Sequence, residues 1–255
     1  MSVELTQLSE YLDQCLQPAK FADYCPNGLQ VEGRAQIARL ATGVTACQAL
    51  LDAAIEWGAD AILVHHGYFW RGEAPQVVGM RRRRLAALLS SDVSLFAYHL
   101  PLDAHPKLGN NACLGLLMGF ALEDQAPLQP DLVSGLGNVS DLEKAIPAQQ
   151  LVARLAKITG RDPLHVGDPD ALVRRIAWCT GAAQDYITAA VATGADLFIT
   201  GEASEQTVHT AREEGIQFVA AGHHATERYG VQAVGDHVAA KFSLEHRFID
   251  IDNPV

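Results

Sequence analysis

Gly58-Ala59-Asp60-Ala61-Ile62-Leu63-Val64-His65-His66-Gly67 opens with a helix-stopping glycine, runs through four apolar residues and ends in two imidazoles and a second glycine. That order predicts a buried strand delivering both histidines into a turn at its end. Neighbouring side chains of a regular strand point to opposite faces, so the two rings cannot converge on one ion while the strand continues. Either one histidine is structural or two ions share the site. Histidine also serves as a satisfied, half-buried polar residue, so the pair needs support from elsewhere in the chain.

Upstream lie a strand over Ile37 to Val44 and an Ala- and Leu-rich helix from Cys47 to Trp57, stopped by Gly58. The unit recurs. Sliding the chain by 136 residues sets Ala41 to Asp60 against Ala177 to Asp196, with identities at Ala41/Ala177, Ala46/Ala182, Gln48/Gln184, Ala53/Ala189, Ala54/Ala190, Gly58/Gly194, Ala59/Ala195 and Asp60/Asp196. In each copy a strand, a helix and Gly-Ala-Asp lead into a second apolar strand. The expected fold is therefore α/β with two similar β-α-β-containing lobes, and the register sets His65-His66 opposite Gly201-Glu202.

Three further apolar runs end in the same chemistry. Phe96-Ala97-Tyr98 leads to His99-Leu100-Pro101-Leu102-Asp103, Leu197-Phe198-Ile199 to Thr200-Gly201-Glu202, and Phe218-Val219-Ala220-Ala221 to Gly222-His223-His224-Ala225-Thr226-Glu227. Open α/β sheets bind ligands outside the carboxyl ends of their strands, so independent elements would bring these groups to one rim. A helix starting after Gly222 puts His223 and Glu227, four apart, on one face. His224, about 100° further round, is a poorer partner for Glu227 and is expected to reach substrate.

His65, His66, Asp103, His223 and Glu227 offer imidazoles and carboxylates without thiolates. Such a set suits Zn, Mn, Fe, Co or Ni and disfavours iron–sulfur clusters and structural Cys-zinc sites. Five ligands leave two divalent ions with open positions, and water shared there is acidified into a nucleophile, so hydrolysis is the natural chemistry. His99, Glu202 and His224 are the candidate catalytic residues, as general acid–base groups or as groups that orient a ligand. The zinc-protease H-E-x-x-H pattern, the phosphate-binding G-x-x-x-x-G-K-[ST], G-x-S-x-G and a strand-borne G-x-G-x-x-G do not occur.

At 255 residues, 49% hydrophobic, the chain is long enough for one large or two small cores. A net charge of −11 and a pI near 5.3 argue against a sequence-independent grip on nucleic acid. Arg81-Arg82-Arg83-Arg84 begins a helix-like stretch and reads as a solvated face or subunit contact. Five cysteines (15, 25, 47, 113 and 179) form no C-x-x-C pair and suggest a reduced, cytoplasmic chain. The N-terminus lacks a signal-peptide pattern and no apolar run reaches the ~20 residues of a membrane span.

Residues 4–16 read as a first helix, and Asp23-Tyr24-Cys25-Pro26-Asn27-Gly28-Leu29-Gln30-Val31 as a loop entering an edge strand. Leu108-Gly109-Asn110-Asn111-Ala112 reads as a helix cap. Pro127, Pro130, Gly135, Gly137 and Pro147 mark residues 124–148 as a crossover into a second lobe at 126–217, and Arg247 to Ile251 as a strand returning to the first sheet. The first lobe, 1–125 plus 218–255, would carry the metal ligands.

Taken together, Asp23 to Val31, Val64-His65-His66-Gly67, His99 to Asp103 and Gly222 to Glu227 resemble the Nif-three-like dinuclear-metal family, whose bacterial members are often called GTP cyclohydrolase 1 type 2 homologues. The resemblance runs nearly end to end. It implies a second lobe inserted in the first and a toroidal homohexamer of stacked trimers. It also implies two divalent ions per subunit, with Glu227 bridging, His66 and Asp103 on one ion, and His65 and His223 on the other. The activity it implies is metal-dependent hydrolysis of a small, nucleotide-like substrate. Its alternatives are a metal-binding hexameric scaffold or regulator linked to DNA damage or stress, or metal storage.

Overall fold

A computed structural model describes residues 1–129 and 135–255. Along the chain the elements begin with β1 (Val3–Glu4), α1 (Leu5–Leu16), β2 (Gly28–Val31), β3 (Gln36–Ile37), β4 (Arg39–Thr45), α2 (Gln48–Trp57), β5 (Ala61–His66), α3 (Gly79–Ser91), β6 (Ser94–Ala97), α4 (Leu100–Ala104) and α5 (Asn110–Met118). They continue with β7 (Ala126–Pro127), β8 (Asn138–Pro147), α6 (Ala148–Thr159), β9 (Leu164–Val166), β10 (Leu172–Trp178), α7 (Ile187–Ala192), β11 (Leu197–Thr200), α8 (Glu205–Glu214), β12 (Gln217–Ala220), α9 (His223–Thr226), α10 (Arg228–Phe242) and β13 (Glu245–Phe248). The fold is mixed α/β. Among the described residues there are a five-stranded sheet ordered β13-β4-β5-β6-β2, a six-stranded sheet ordered β7-β8-β10-β11-β12-β9, and a β1-β3 pair.

The chain divides into two compact units, Met1–Leu102 with Gly230–Asp252, and Asp103–Tyr229 with Asn253–Val255. Sequence suggests divisions at 125/126 and 217/218. Packing moves them outward: Leu114, Met118 and Phe120 join Leu151, Ile176 and Trp178 in the second core, and Phe218 joins Phe198 and Ile187 there. The metal candidates are therefore shared out, with His65 and His66 in the first unit and Asp103, His223 and Glu227 in the second.

In the first unit β4, β5 and β6 run parallel, β2 closes one edge antiparallel and β13 returns to the other edge parallel to β4. Leu50, Leu51 and Ala54 line one face of α2 and pack on Ile62, Val64 and Leu95. Gly58 takes the left-handed conformation (φ 79°) that ends this helix.

The second unit repeats the arrangement with β10, β11 and β12 parallel. The register is shared at the 136-residue offset: Leu40 faces Ala61, and Ile176 faces Leu197. The polar wiring matches as well. One oxygen of Asp60 accepts the N–H groups of Ala38 and Arg39 at 2.8 and 2.9 Å, and one oxygen of Asp196 accepts those of Arg174 and Arg175 at 2.8 Å each. Each carboxylate ties the start of one strand to the start of the next, which is a physical reason for the repeated Gly-Ala-Asp.

Residues 124–148 are more than a crossover. Ala126–Pro127 and the ten-residue β8 belong to the second sheet, β8 pairing antiparallel with β10. Pro130 lies outside the described residues. Gly109, within the Leu108 to Ala112 string read as a cap, is the N-cap of α5. No helix among the described residues is long and apolar enough to cross a membrane.

Candidate metal centre

Two clusters of candidate ligands form, one in each unit, both where parallel strands end. In the first, β5 terminates at His66, and the ring centroids of His65 and His66 lie 4.5 Å apart, with His99 at 5.1 and 5.7 Å from them. Their ring nitrogens can all lie within 4.8 Å of one another. Both histidines still belong to β5, and their ring nitrogens nonetheless come together at its last residues, where the expectation was divergence to opposite faces.

Each ring is held through its Nδ1. In His65, which is fully buried, Nδ1 lies 3.0 Å from the Tyr98 carbonyl oxygen; in His66 it lies 3.1 Å from Thr45 Oγ1. Fixing one imidazole nitrogen selects the other, Nε2, as the donor to an ion. In His99, Nδ1 meets the carboxylate of Asp23 at 2.9 Å, and its backbone N–H donates to Asn27 Oδ1 at 2.7 Å.

Asp23 organises this corner. It accepts from the N–H of Tyr24 (2.7 Å), the side chain of Asn27 (3.0 Å) and the N–H of Leu100 (3.0 Å) besides meeting His99. Burial would raise its pKa, but the hydrogen bonds from His99 and Asn27, the His99 charge and the Leu100 N–H outweigh it and hold the carboxyl well below the usual range. Cys25 lies close enough to Asp23 and His99 to suggest a third ion site. Burial and the neighbouring Asp23 charge push its thiol up to about 12.

In the second unit Glu227 is the central group. It is 3% exposed; Oε2 lies 3.1 Å from His223 Nε2, and its carboxylate oxygens come within 4.8 Å of those of Asp103. Its position depends on Gly181, whose φ of 73° is left-handed and where a Cβ would fall onto the Glu227 carboxylate and 3.3 Å from His223 Nε2. Thr226 Oγ1 accepts the Gly181 N–H at 3.1 Å, and Thr200 Oγ1 donates to its carbonyl at 3.1 Å. Asp103 Oδ1 accepts from Asn110 Nδ2 at 2.9 Å and Thr180 Oγ1 at 3.3 Å, while Asn111 binds the Asp103 carbonyl at 3.2 Å.

His223 is oriented by Glu202, whose Oε1 lies 2.6 Å from Nδ1. Burial lowers the pKa of this ring, but the hydrogen bonds and charges of Glu227 and Glu202 together overcome it and raise the value to about 9. Cys179 is buried, and burial with the nearby Asp103 and Glu227 charges pushes its thiol well up.

Of the sequence candidates, His65, His66 and His99 gather in one cluster, and Asp103, His223, Glu227 and Glu202 in the other. His224 enters no metal-capable group among the described residues; its backbone N–H donates to the Val255 carbonyl at 3.0 Å. Sequence reasoning missed Asp23, Thr45, Asn110, Asn111, Thr180 and Gly181. Asp23 and Asn27, four apart in a Pro- and Gly-punctuated loop, were the nearest thing to a signal.

Comparison with known proteins finds relatives along the whole chain. The sequence profile of the family described as Duf34/NIF3 (NGG1p interacting factor 3) matches residues 3–254. A Pseudomonas aeruginosa protein named GTP cyclohydrolase 1 type 2 homolog is 55% identical over 254 residues, covering 100% of both chains. An Escherichia coli K12 protein of the same name is 48% identical over 251 residues, 98% of each. Among solved structures, protein ybgI, described as of unknown function, superposes with a TM-score of 0.93 at 47% identity, covering 99% of this chain and 100% of that one. TTHA1606 from Thermus thermophilus gives 0.86 at 33% identity, covering 99% and 100%.

Proposed function

The chain belongs to the Duf34/NIF3 family, and on that footing we propose that it is a dinuclear metal-dependent hydrolase of a small, nucleotide-like substrate. His65, His66, Asp103, His223 and Glu227 would hold two divalent ions. The observation that carries this reading is Glu227 itself: a carboxylate 3% exposed, with an oxygen within 4.8 Å of an Asp103 oxygen and Oε2 3.1 Å from His223 Nε2. Isolated buried carboxylates are costly, and a pair of them close together is more so unless cations compensate.

Bound there, two divalent ions would supply a water of lowered pKa and Lewis acidity at the scissile bond. The chain's own residues do the rest. Glu202 holds His223 in the orientation that presents Nε2, as Thr45 and the Tyr98 carbonyl do for His66 and His65. His99, its Nδ1 tied to Asp23, carries a proton at Nε2 to or from the reacting group. His224 contacts the substrate. The family resemblance further supports a toroidal hexamer, which light scattering tests directly.

The test is protein purified without chelators, analysed for bound elements, and assayed against GTP and a panel of nucleotide derivatives with each of Zn, Mn, Fe, Co and Ni. Turnover that disappears in Glu227→Gln supports the assignment. Full metal occupancy with no turnover of any substrate would replace it with a metal-binding scaffold.

A further inference from the structure

We infer that Asn110 is a positioning residue which, together with Thr180, engages one carboxylate oxygen of Asp103 and so makes Asp103 a one-oxygen ligand; the inference rests on the metal-centre reading above and deepens it. Asp103, Asn110, Asn111 and Thr180 all belong to the second unit, and none is more than 7% exposed.

Asn110 and Asn111 stand where a helix cap is expected, but Gly109 occupies that position and both asparagines fall inside α5. There they are doubly unfavourable. Asparagine is a weak helix former, and an amide taken out of water must find partners. The partners are Asp103 and the residue that flanks it. Asn110 Nδ2 donates to Asp103 Oδ1 at 2.9 Å, and Thr180 Oγ1 donates to the same oxygen at 3.3 Å. Asn111 takes the other end of the residue: its Nδ2 donates to the Asp103 carbonyl at 3.2 Å, while its Oδ1 accepts the Thr180 N–H at 3.0 Å. A closed ring of hydrogen bonds therefore runs from Asp103 through Asn111 and Thr180 and back to Asp103. Trp178 ties it to the core, its indole N–H donating to the Asn111 carbonyl at 2.9 Å.

The chemistry follows from where the donors land. An ionised carboxylate only accepts, so Asn110 faces it with its NH2 group, and each carboxylate oxygen offers two lone pairs. Both side-chain donors fall on Oδ1. With that oxygen engaged twice, an ion meets Asp103 through Oδ2. A carboxylate that chelates through both oxygens fills two positions on an ion, whereas one that binds through a single oxygen fills one and keeps a place for the water that hydrolysis uses. Asn110 thus acts on the coordination number without touching the ion, and it sets the direction of the ligand as well.

The test is cobalt(II) titration of the full-length protein after metal removal, followed by its visible absorption bands and by competition with a chromophoric chelator. Asn110→Ala should weaken binding about ten- to a hundredfold and dim the bands, because the released oxygen raises the coordination number. Thr180→Val should do the same to a smaller degree, in keeping with its longer bond, and Thr180→Ser should restore the wild-type spectrum. In an Asp103→Ala background, Asn110→Ala should add nothing further. Equal binding and equal spectra for the wild type, Asn110→Ala and Thr180→Val overturn the inference. So does a loss from Asn110→Ala that persists undiminished without Asp103, which would mark a purely structural role. Thr180→Val and Thr180→Ser keep the test usable if Asn110→Ala does not fold. A wild type that takes up no cobalt overturns the inference together with the metal centre; the expected pattern of binding without turnover of any substrate would remove the hydrolase reading and leave Asn110 in its role.

Discussion

The β4–α2–β5 and β10–α7–β11 segments share a strand register and a strand-pinning aspartate, yet their ends carry different chemistry. In the first, the strand's last residues are themselves the candidate donors, and Thr45 steadies His66. In the second, the residue at Thr45's repeat position is Gly181, and the position opposite His65 is Gly201; both are empty of side chain, and the space is filled by Glu227 and His223 arriving from beyond β12. One backbone frame supports two ways of presenting a ligand, from the strand or across a glycine.

The largest expected effect comes from closing that space. Gly181→Ala drives a methyl into the Glu227 carboxylate and imposes a left-handed backbone on alanine, costing about 1–2 kcal/mol on that account alone. Under the proposed function, metal content after desalting should fall well below wild type, since Glu227 would be displaced from the donor set. Thr45→Ala should instead lower affinity by about ten- to a hundredfold while leaving full occupancy at saturating metal. Equal behaviour of the two variants by elemental analysis would erase the distinction between the two strand ends.

The carboxylates that orient the imidazoles sharpen the same contrast. Asp23 is 3% exposed in its side chain and Glu202 32%. Asp23→Asn should therefore cost about 2–4 kcal/mol in urea unfolding at pH 7, and Glu202→Gln less than about 1 kcal/mol. The sign with pH follows from the depressed Asp23 pKa. Its stabilisation is fully present above the unfolded value near 3.8 and drains away as pH falls from there towards the folded value, so the Asp23→Asn deficit should be smaller at pH 3 than at pH 7. A deficit that is constant with pH would mean that Asp23 acts only through shape.

The smallest difference should separate the two strand pins. Asp196→Ala leaves two strand N–H groups without their acceptor and should cost about 1–3 kcal/mol. Asp60→Ala should cost the same plus at most about 1 kcal/mol for its pair with the 42%-exposed Arg34. Thermal melts of the two variants would show whether the repeat is energetic as well as geometric.

Much of this was readable in advance because it is local. Glycine stops, apolar runs and helical spacing locate α1, α2, α6, β4, β10 and the returning β13, and the 136-residue offset exposes the repeat before any coordinates. β8 escaped because Asp141, Glu143 and Lys144 dilute its apolar pattern on a largely solvated strand. The divisions between units escaped because α5 and β12 declare their allegiance only by packing against distant residues such as Trp178 and Phe198. In the candidate site the donors stand at strand ends and are visible, while what aims them is not. His65 depends on a backbone carbonyl 33 residues away and His99 on Asp23 at a separation of 76, and neither a carbonyl nor a long-range pairing leaves a mark on the local sequence.

Asp60 does more than start a strand. Because side chains alternate along β5, sliding it by one residue against β4 would exchange the faces of His65 and His66. Asp60 sits at the other end of that strand, about 17 Å away at the usual rise per residue, yet it sets the phase of the whole alternation. The identity of each imidazole's seat is thus indexed from the far end of the sheet, much as the position of a gear tooth is fixed by a key on its shaft, and a change there would move both rings without touching either.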